Sequence, residues 1–231
     1  MRNALILLPG MMCDARLFKP QIAHFSDRYD ITVPRLDTGA TMAELAGDIL
    51  RTAPAQFALG GLSMGGIVAM EIMRQASDRV THLALMDTNP YAELDAVKQR
   101  RGPQMDKVAA GQLAAVMRDE MKPHYLASGP QKAALLDLCL DMALAVGPAA
   151  FRAQSLALRD RPDYSATLRE VRCPTLLLCG VEDKLCPPER HHAMAEMIPH
   201  AQLDIIEGAG HLPSLEQPDR VIAAMDQLLE G

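Results

Sequence analysis

At 231 residues the chain suits one domain with a substantial core and room for an insertion. Its net charge of −6 argues against a nucleic-acid partner. No apolar run approaches the roughly 18 residues of a membrane span, and 49 % apolar with 23 % charged residues is ordinary for a soluble globular protein. The first apolar run, Ala4 to Leu8, stops at Pro9-Gly10, too short for a secretory leader's core, so the expected location is the cytoplasm. Five scattered cysteines (Cys13, Cys139, Cys173, Cys179, Cys186) imply no disulfide framework and read as inert buried thiols. His191 and His192, adjacent on a predicted helix, point about 100° apart and cannot share one metal on one face.

In chain order, Ala4–Leu8 reads as a strand, Asp14–Phe25 as a helix capped by Asp14, and Tyr29–Val33 as a second strand. Thr41–Thr52 carries an i, i+3, i+4 apolar stripe, with Thr41 and Glu44 set for a capping box. A strand at 57–62, a helix at 64–76 and a strand from His82 to Met86 follow. The strands are nearly all apolar rather than alternating, which suits strands covered on both faces of a parallel sheet. From Tyr91 to about Pro162 no strand-like run occurs. Helices are predicted at Gln104–Met121, Gln131–Val146 and Pro148–Arg159, punctuated by Gly102-Pro103, Ser128-Gly129-Pro130 and Gly147-Pro148. The alternation resumes with a strand at Pro174–Cys179, a helix at Pro188–Met197, a strand at Gln202–Ile206 and a helix at Ser214–Leu229. The domain reading is a core of residues 1–90 and 163–231 with a helical cap, 91–162, inserted after the strand ending near Asp87.

Between the third strand and the helix after it stands Gly61-Leu62-Ser63-Met64-Gly65, a Gly-x-Ser-x-Gly pattern. Chance alone produces such a match in about 8 % of chains this long, given Gly near 7 % of residues. Strand before and helix after are the context in which a serine is raised on a strained turn as a nucleophile. Serine needs a base, and the base an orienting acid. Downstream, Asp183 and His211 each follow an apolar strand, and therefore fall in loops at the same sheet edge as Ser63, where open α/β sheets place ligands. Glu182, adjacent to Asp183, and Asp87, at the end of the strand before the cap, are rival acids. Glu71, on the helix after Ser63, reads as structural. An oxyanion needs donors, and the N–H groups of Met64 and Met11 are the candidates, the second on a loop that Gly10 lets turn closely.

These residues together resemble the α/β-hydrolase superfamily over essentially the full length, and in particular its small capped members. The resemblance lies in Leu7-Leu8-Pro9-Gly10-Met11-Met12, Gly61 to Gly66, Cys179 to Pro188, and Gly208 to Pro218. It implies an α/β fold with a mostly parallel twisted sheet flanked by helices, and catalysis by Ser63, Asp183 and His211. Relatives commonly carry His-Gly where this chain has Pro9-Gly10. A serine nucleophile sets the chain apart from the dehalogenase branch, which uses aspartate there. No dinucleotide fingerprint occurs, and no cofactor or metal is implied.

The expected activity is hydrolysis of a small to medium carboxylic ester, thioester or lactone through an acyl-enzyme on Ser63. The alternatives are an enol-lactonase, a C–C bond hydrolase or a lyase with the same triad, and a ligand receptor that keeps the fold. The expected partner is a small-molecule substrate, with neither nucleic acid nor membrane. Among the 15 methionines, Met12, Met117, Met121 and Met142 are candidates for pocket lining beside Met11 and Met64. Arg100, Arg101, Arg152, Arg159 and Arg161 are candidates to meet a substrate carboxylate, and sequence does not choose among them.

Overall fold

The computed structural model describes residues 2–230. Six strands form one sheet: β1 (Asn3–Leu8), β2 (Tyr29–Thr32), β3 (Phe57–Leu62), β4 (Val80–Met86), β5 (Thr175–Gly180) and β6 (Gln202–Ile206). Their order is β2-β1-β3-β4-β5-β6 and every pairing is parallel. The continuous apolar runs follow from burial on both faces. Ile6, Leu8, Leu59, Leu85 and Leu177 point into one core, while Leu5, Leu7, Ala58, Leu62, Ala84 and Leu178 point into the other.

Helices cover both faces. Helix α1 (Lys19–Phe25) follows a single 3₁₀ turn, Ala15–Phe18, whose N-cap is Asp14, so the predicted helix comes in two pieces around Pro20. Helix α2 (Met42–Thr52) starts with the predicted capping box: Thr41 Oγ1 accepts from the Glu44 N–H at 3.1 Å, and Glu44 Oε2 accepts from the Thr41 N–H at 3.2 Å. Helix α3 (Met64–Ala76) packs on α2. On it Glu71 is buried and bonded to Arg74 and Gln75, a structural role.

Between β4 and β5 lie only helices among the described residues: α4 (Asp95–Ala109), α5 (Leu113–Ala115) running into a π-helical stretch at Val116–Met121, α6 (Lys132–Val146), α7 (Pro148–Arg159) and α8 (Ser165–Arg169). Gly102-Pro103 does not punctuate the chain as predicted. Helix α4 runs through it and stops at Gly111, where φ reaches +84°. Pro103 removes one hydrogen bond, to the Gln99 carbonyl, and Gln99 is exposed, so solvent replaces it at little cost. Helix α9 (Pro188–Met197) packs on β5 and β6. The predicted last helix is split into α10 (Pro213–Glu216) and α11 (Pro218–Glu230), because Gln217 precedes a proline and is held at φ −135°, ψ 58°. With all strands parallel, the loops after β1, β3, β4, β5 and β6 leave from one edge.

Candidate active site

Ser63 stands between β3 and α3 at φ 55°, ψ −117°, a backbone state that non-glycine residues rarely adopt. The turn survives because its neighbours lack side chains: a Cβ on Gly61 would lie 2.4 Å from the Gly65 carbonyl oxygen, and one on Gly65 would lie 2.0 Å from that of Leu8. Two bonds to the β4 end hold it, with the Ser63 N–H donating to Met86 O (2.9 Å) and Thr88 Oγ1 donating to Ser63 O (2.8 Å).

Ser63 Oγ lies 2.9 Å from His211 Nε2, and His211 Nδ1 lies 2.8 Å from Asp183 Oδ2. Asp183 and His211 are both 3 % exposed. The other Asp183 oxygen accepts from the Leu185 N–H (2.8 Å) and the Cys186 N–H (3.0 Å). Burial works against a charge on Asp183, but the His211 imidazole and the two N–H donors outweigh it and hold the carboxyl below its ordinary range.

Of the rival acids, Glu182 is exposed and only its backbone is engaged, donating to Ala209 O at 3.0 Å. Asp87 is fully buried, and burial together with the Asp183 charge raises its carboxyl well above the ordinary range. It accepts from the Gly180 N–H at 3.0 Å and touches neither ring nitrogen of His211.

The histidine loop carries a clamp that the sequence did not announce. Glu216 Oε2 accepts from the N–H groups on either side of His211, Gly210 (3.0 Å) and Leu212 (3.1 Å), while Oε1 accepts from Ala127 (2.7 Å). The His211 N–H itself donates to Tyr125 O at 2.6 Å. The segment between α5 and α6 therefore holds the histidine in place. Glu216 stands five residues after His211, and nothing in the chain alone marks it as the partner of that loop.

The loop after β1 presses against Ser63: a Cβ on Gly10 would lie 3.5 Å from Ser63 Cβ. Among the described residues, neither the Met11 nor the Met64 N–H donates to another protein group. The Met12 N–H instead donates to Gln154 Oε1 at 2.9 Å, and Gln154 Nε2 donates to Leu36 O at 2.7 Å. Gln154, from α7, thus ties down a loop that has Pro9-Gly10 in place of His-Gly.

A cavity of about 280 Å³ opens above Ser63, lined among others by Met11, Met64, Met121, Tyr125, Leu158 and His211. Three expected lining residues are elsewhere. Met12 sits at φ 58° and is turned into the core, Met117 is buried in the π-helical stretch, and Met142 is buried on α6. Of the five arginines, Arg100, Arg101 and Arg161 line the cavity, whereas Arg152 is exposed and Arg159 pairs with Asp160 at 2.7 Å.

Donor atoms of Asp183, Cys186 and His211 lie within 4.8 Å of one another. Asp183 and His211 are bonded to each other, and burial raises the Cys186 thiol, so this trio is poorly suited to a metal. All five thiols are free and raised by burial, Cys139 to about 11.

A protein named pimeloyl-(acyl-carrier protein) methyl ester esterase from Xanthomonas campestris pv. campestris is 26 % identical over 241 residues, covering 98 % of this chain and 94 % of that one. One of the same name from Nitrosomonas europaea is 28 % identical, covering 84 % and 78 %. Among solved structures, a thermophilic esterase from Thermogutta terrifontis (malate bound) superposes with a TM-score of 0.88 at 29 % identity, covering 99 % and 89 %. The enol-lactonase from Burkholderia xenovorans LB400 has the same fold, with a TM-score of 0.86 at 19 % identity, covering 100 % and 93 %. The model of the alpha/beta hydrolase family matches residues 5–224, and the chain belongs to that family as an esterase-type hydrolase.

Proposed function

We propose that the chain cleaves small to medium carboxylic esters through an acyl-enzyme on Ser63. The observation that carries this reading is the relay from Ser63 Oγ through both nitrogens of His211 to Asp183, opening on a cavity. His211 Nε2 takes the Ser63 proton as Oγ attacks the ester carbon. Asp183 fixes the ring so that Nδ1 carries its proton and stabilises the imidazolium that forms. The oxyanion of the tetrahedral intermediate accepts from the Met11 and Met64 N–H groups. Collapse breaks the bond to the alkoxy oxygen, which leaves with the proton held on His211. Water, deprotonated by the same imidazole, then attacks the acyl-enzyme and releases the acid and Ser63.

Helices α4 to α7, within residues 91–162, act as a cap that shapes the cavity while the loops at the sheet edge supply the chemistry. At about 280 Å³ the cavity lies at the small end of ligand pockets, which favours a short acyl or alkyl group. Relatives named for a methyl ester esterase support an alkyl ester as substrate. The test is steady-state hydrolysis of p-nitrophenyl esters from acetate to decanoate, of methyl esters and of lactones. Ser63→Ala and His211→Ala are each expected to lower kcat at least about 10³-fold. Activity within about tenfold of the wild type in either variant would end the proposal.

A further inference from the structure

Glu93, Arg101 and Arg161 meet on the wall of the Ser63 cavity. Arg101 donates to Glu93 Oε2 from Nε (3.1 Å) and Nη2, and Arg161 Nη1 lies 3.0 Å from the same oxygen. Their side chains are 7 %, 12 % and 6 % exposed, in the order Glu93, Arg101, Arg161. Two guanidinium groups thus share one carboxylate, leaving one positive charge in excess where little water reaches. A charge so placed is costly unless a counter-ion meets it.

The neighbouring charges do not cancel it. Glu120, the other acidic residue on the cavity wall, is tied to Lys107 (2.7 Å) and Gln104 (3.2 Å). Asp183 lies behind His211 with its oxygens filled. Arg100, also on the wall, adds positive charge. The excess is matched by unused donors. Arg161 donates Nε to Tyr91 O (2.9 Å) and Nη1 to Leu158 O (3.4 Å), with Nη1 also ion-paired to Glu93, which leaves Nη2 without a protein acceptor. Arg101 Nη1 meets only the Met11 sulfur, at 3.9 Å, a weak acceptor. That contact puts the cluster one side chain away from the loop beside Ser63.

Resting on the esterase reading above, we infer that the Arg101–Glu93–Arg161 cluster receives a substrate carboxylate, so that the preferred esters carry a free acid group. Half-esters of aliphatic dicarboxylic acids are the simplest such compounds. The ester carbonyl is presented to Ser63 while the ionised carboxylate accepts from Arg161 Nη2 and Arg101 Nη1. Glu93 holds both forks in place and limits the charge they would otherwise bury. Arg152 and Arg159, candidates on sequence alone, take no part.

The test compares kcat/KM for monomethyl succinate through monomethyl suberate with the matching dimethyl diesters. A second series, 4-acetoxybutanoate and its methyl ester, moves the acid group to the alcohol side. In at least one series the wild type is expected to favour the acid-bearing ester at least about tenfold, with a best chain length. Arg101→Gln and Arg161→Gln are expected to bring that ratio toward one. Because Arg161 is buried, competition is measured on the wild type as well, which does not depend on the folding of a variant. Free dicarboxylates of the best length should inhibit p-nitrophenyl acetate hydrolysis competitively, and equally long monocarboxylates should do so at least about tenfold more weakly. Equal rates for acid-bearing and neutral esters, or equal inhibition by the two acids, would overturn the inference and leave Ser63 chemistry standing. Loss of the esterase reading has a different signature: neutral esters would be hydrolysed as fast by Ser63→Ala as by the wild type.

Discussion

Asp183 and Asp87 follow neighbouring strands, yet their surroundings shift the two carboxyls in opposite directions. Asp183 accepts from two backbone N–H groups and faces His211, whereas Asp87 has one N–H donor and a second oxygen with no partner. Asp183→Asn is expected to lower kcat by about 10³ to 10⁴, since the amide favours the wrong imidazole tautomer. Asp87→Asn is expected to stay within about tenfold of the wild type, because Asp87 meets neither ring nitrogen of His211. The opposite ranking in steady-state kinetics would move the acid to β4. The same residues fix a pH dependence. The Asp183 carboxyl is held below its unfolded value, so the folded state binds fewer protons there. Its contribution to stability is full above about pH 4 and is lost as pH falls through the depressed folded value. Asp87 is raised, so it acts the other way: its contribution is largest at low pH and is lost as pH rises from about 4 toward its folded value. Denaturant melts from pH 3 to 8 should therefore show a shallower acid limb for Asp183→Asn and a flatter neutral limb for Asp87→Asn.

At the scale of elements, residues whose positions are set by pattern could be read from the chain, and residues whose positions depend on side-chain direction could not. The capping box of α2, the buried strands and the Ser63, Asp183 and His211 loops all follow from spacing and from where strands end. Met12, Met117 and Met142 do not. A left-handed φ turns the Met12 side chain out of the loop's expected direction, and a π-helical stretch shifts Met117 away from the 3.6-residue phase that sequence implies. The outcome is measurable. Met121→Ala, on the cavity wall, is expected to change the relative kcat/KM of short and long p-nitrophenyl esters by more than about threefold. Met117→Ala and Met142→Ala are expected to leave that profile alone and to cost about 2–5 kcal/mol in urea unfolding, as buried methionines do. Gln154 was equally invisible, since nothing in a helix predicts that one amide will reach two loops. Gln154→Ala strands the Met12 N–H and the Leu36 carbonyl in a buried place, so a loss of about 1–3 kcal/mol is expected. Hydrogen exchange should quicken at residues 10–13, and kcat should fall if that loop supplies an oxyanion donor.

For the whole molecule, one parallel sheet of six strands sends all six following segments out at one edge, and residues between β4 and β5 supply much of the wall of the cavity above Ser63. The charge of the cavity wall was only partly legible: Arg101 and Arg161 stood among five candidate arginines. Nothing in the chain singles them out until Glu93, just before α4, and Arg101, on it, meet Arg161, just after α7, as the two helices pack. The chemistry itself rests on one claim, that Ser63 is a nucleophile activated by His211. Incubating the folded protein with a fluorophosphonate probe and mapping the adduct by peptide mass spectrometry tests this directly. The account predicts one stoichiometric adduct on Ser63, formed at least about 10³-fold more slowly in His211→Ala, with none on any other serine. An unlabelled protein, a label on another residue, or undiminished labelling of Ser63 in His211→Ala would contradict it.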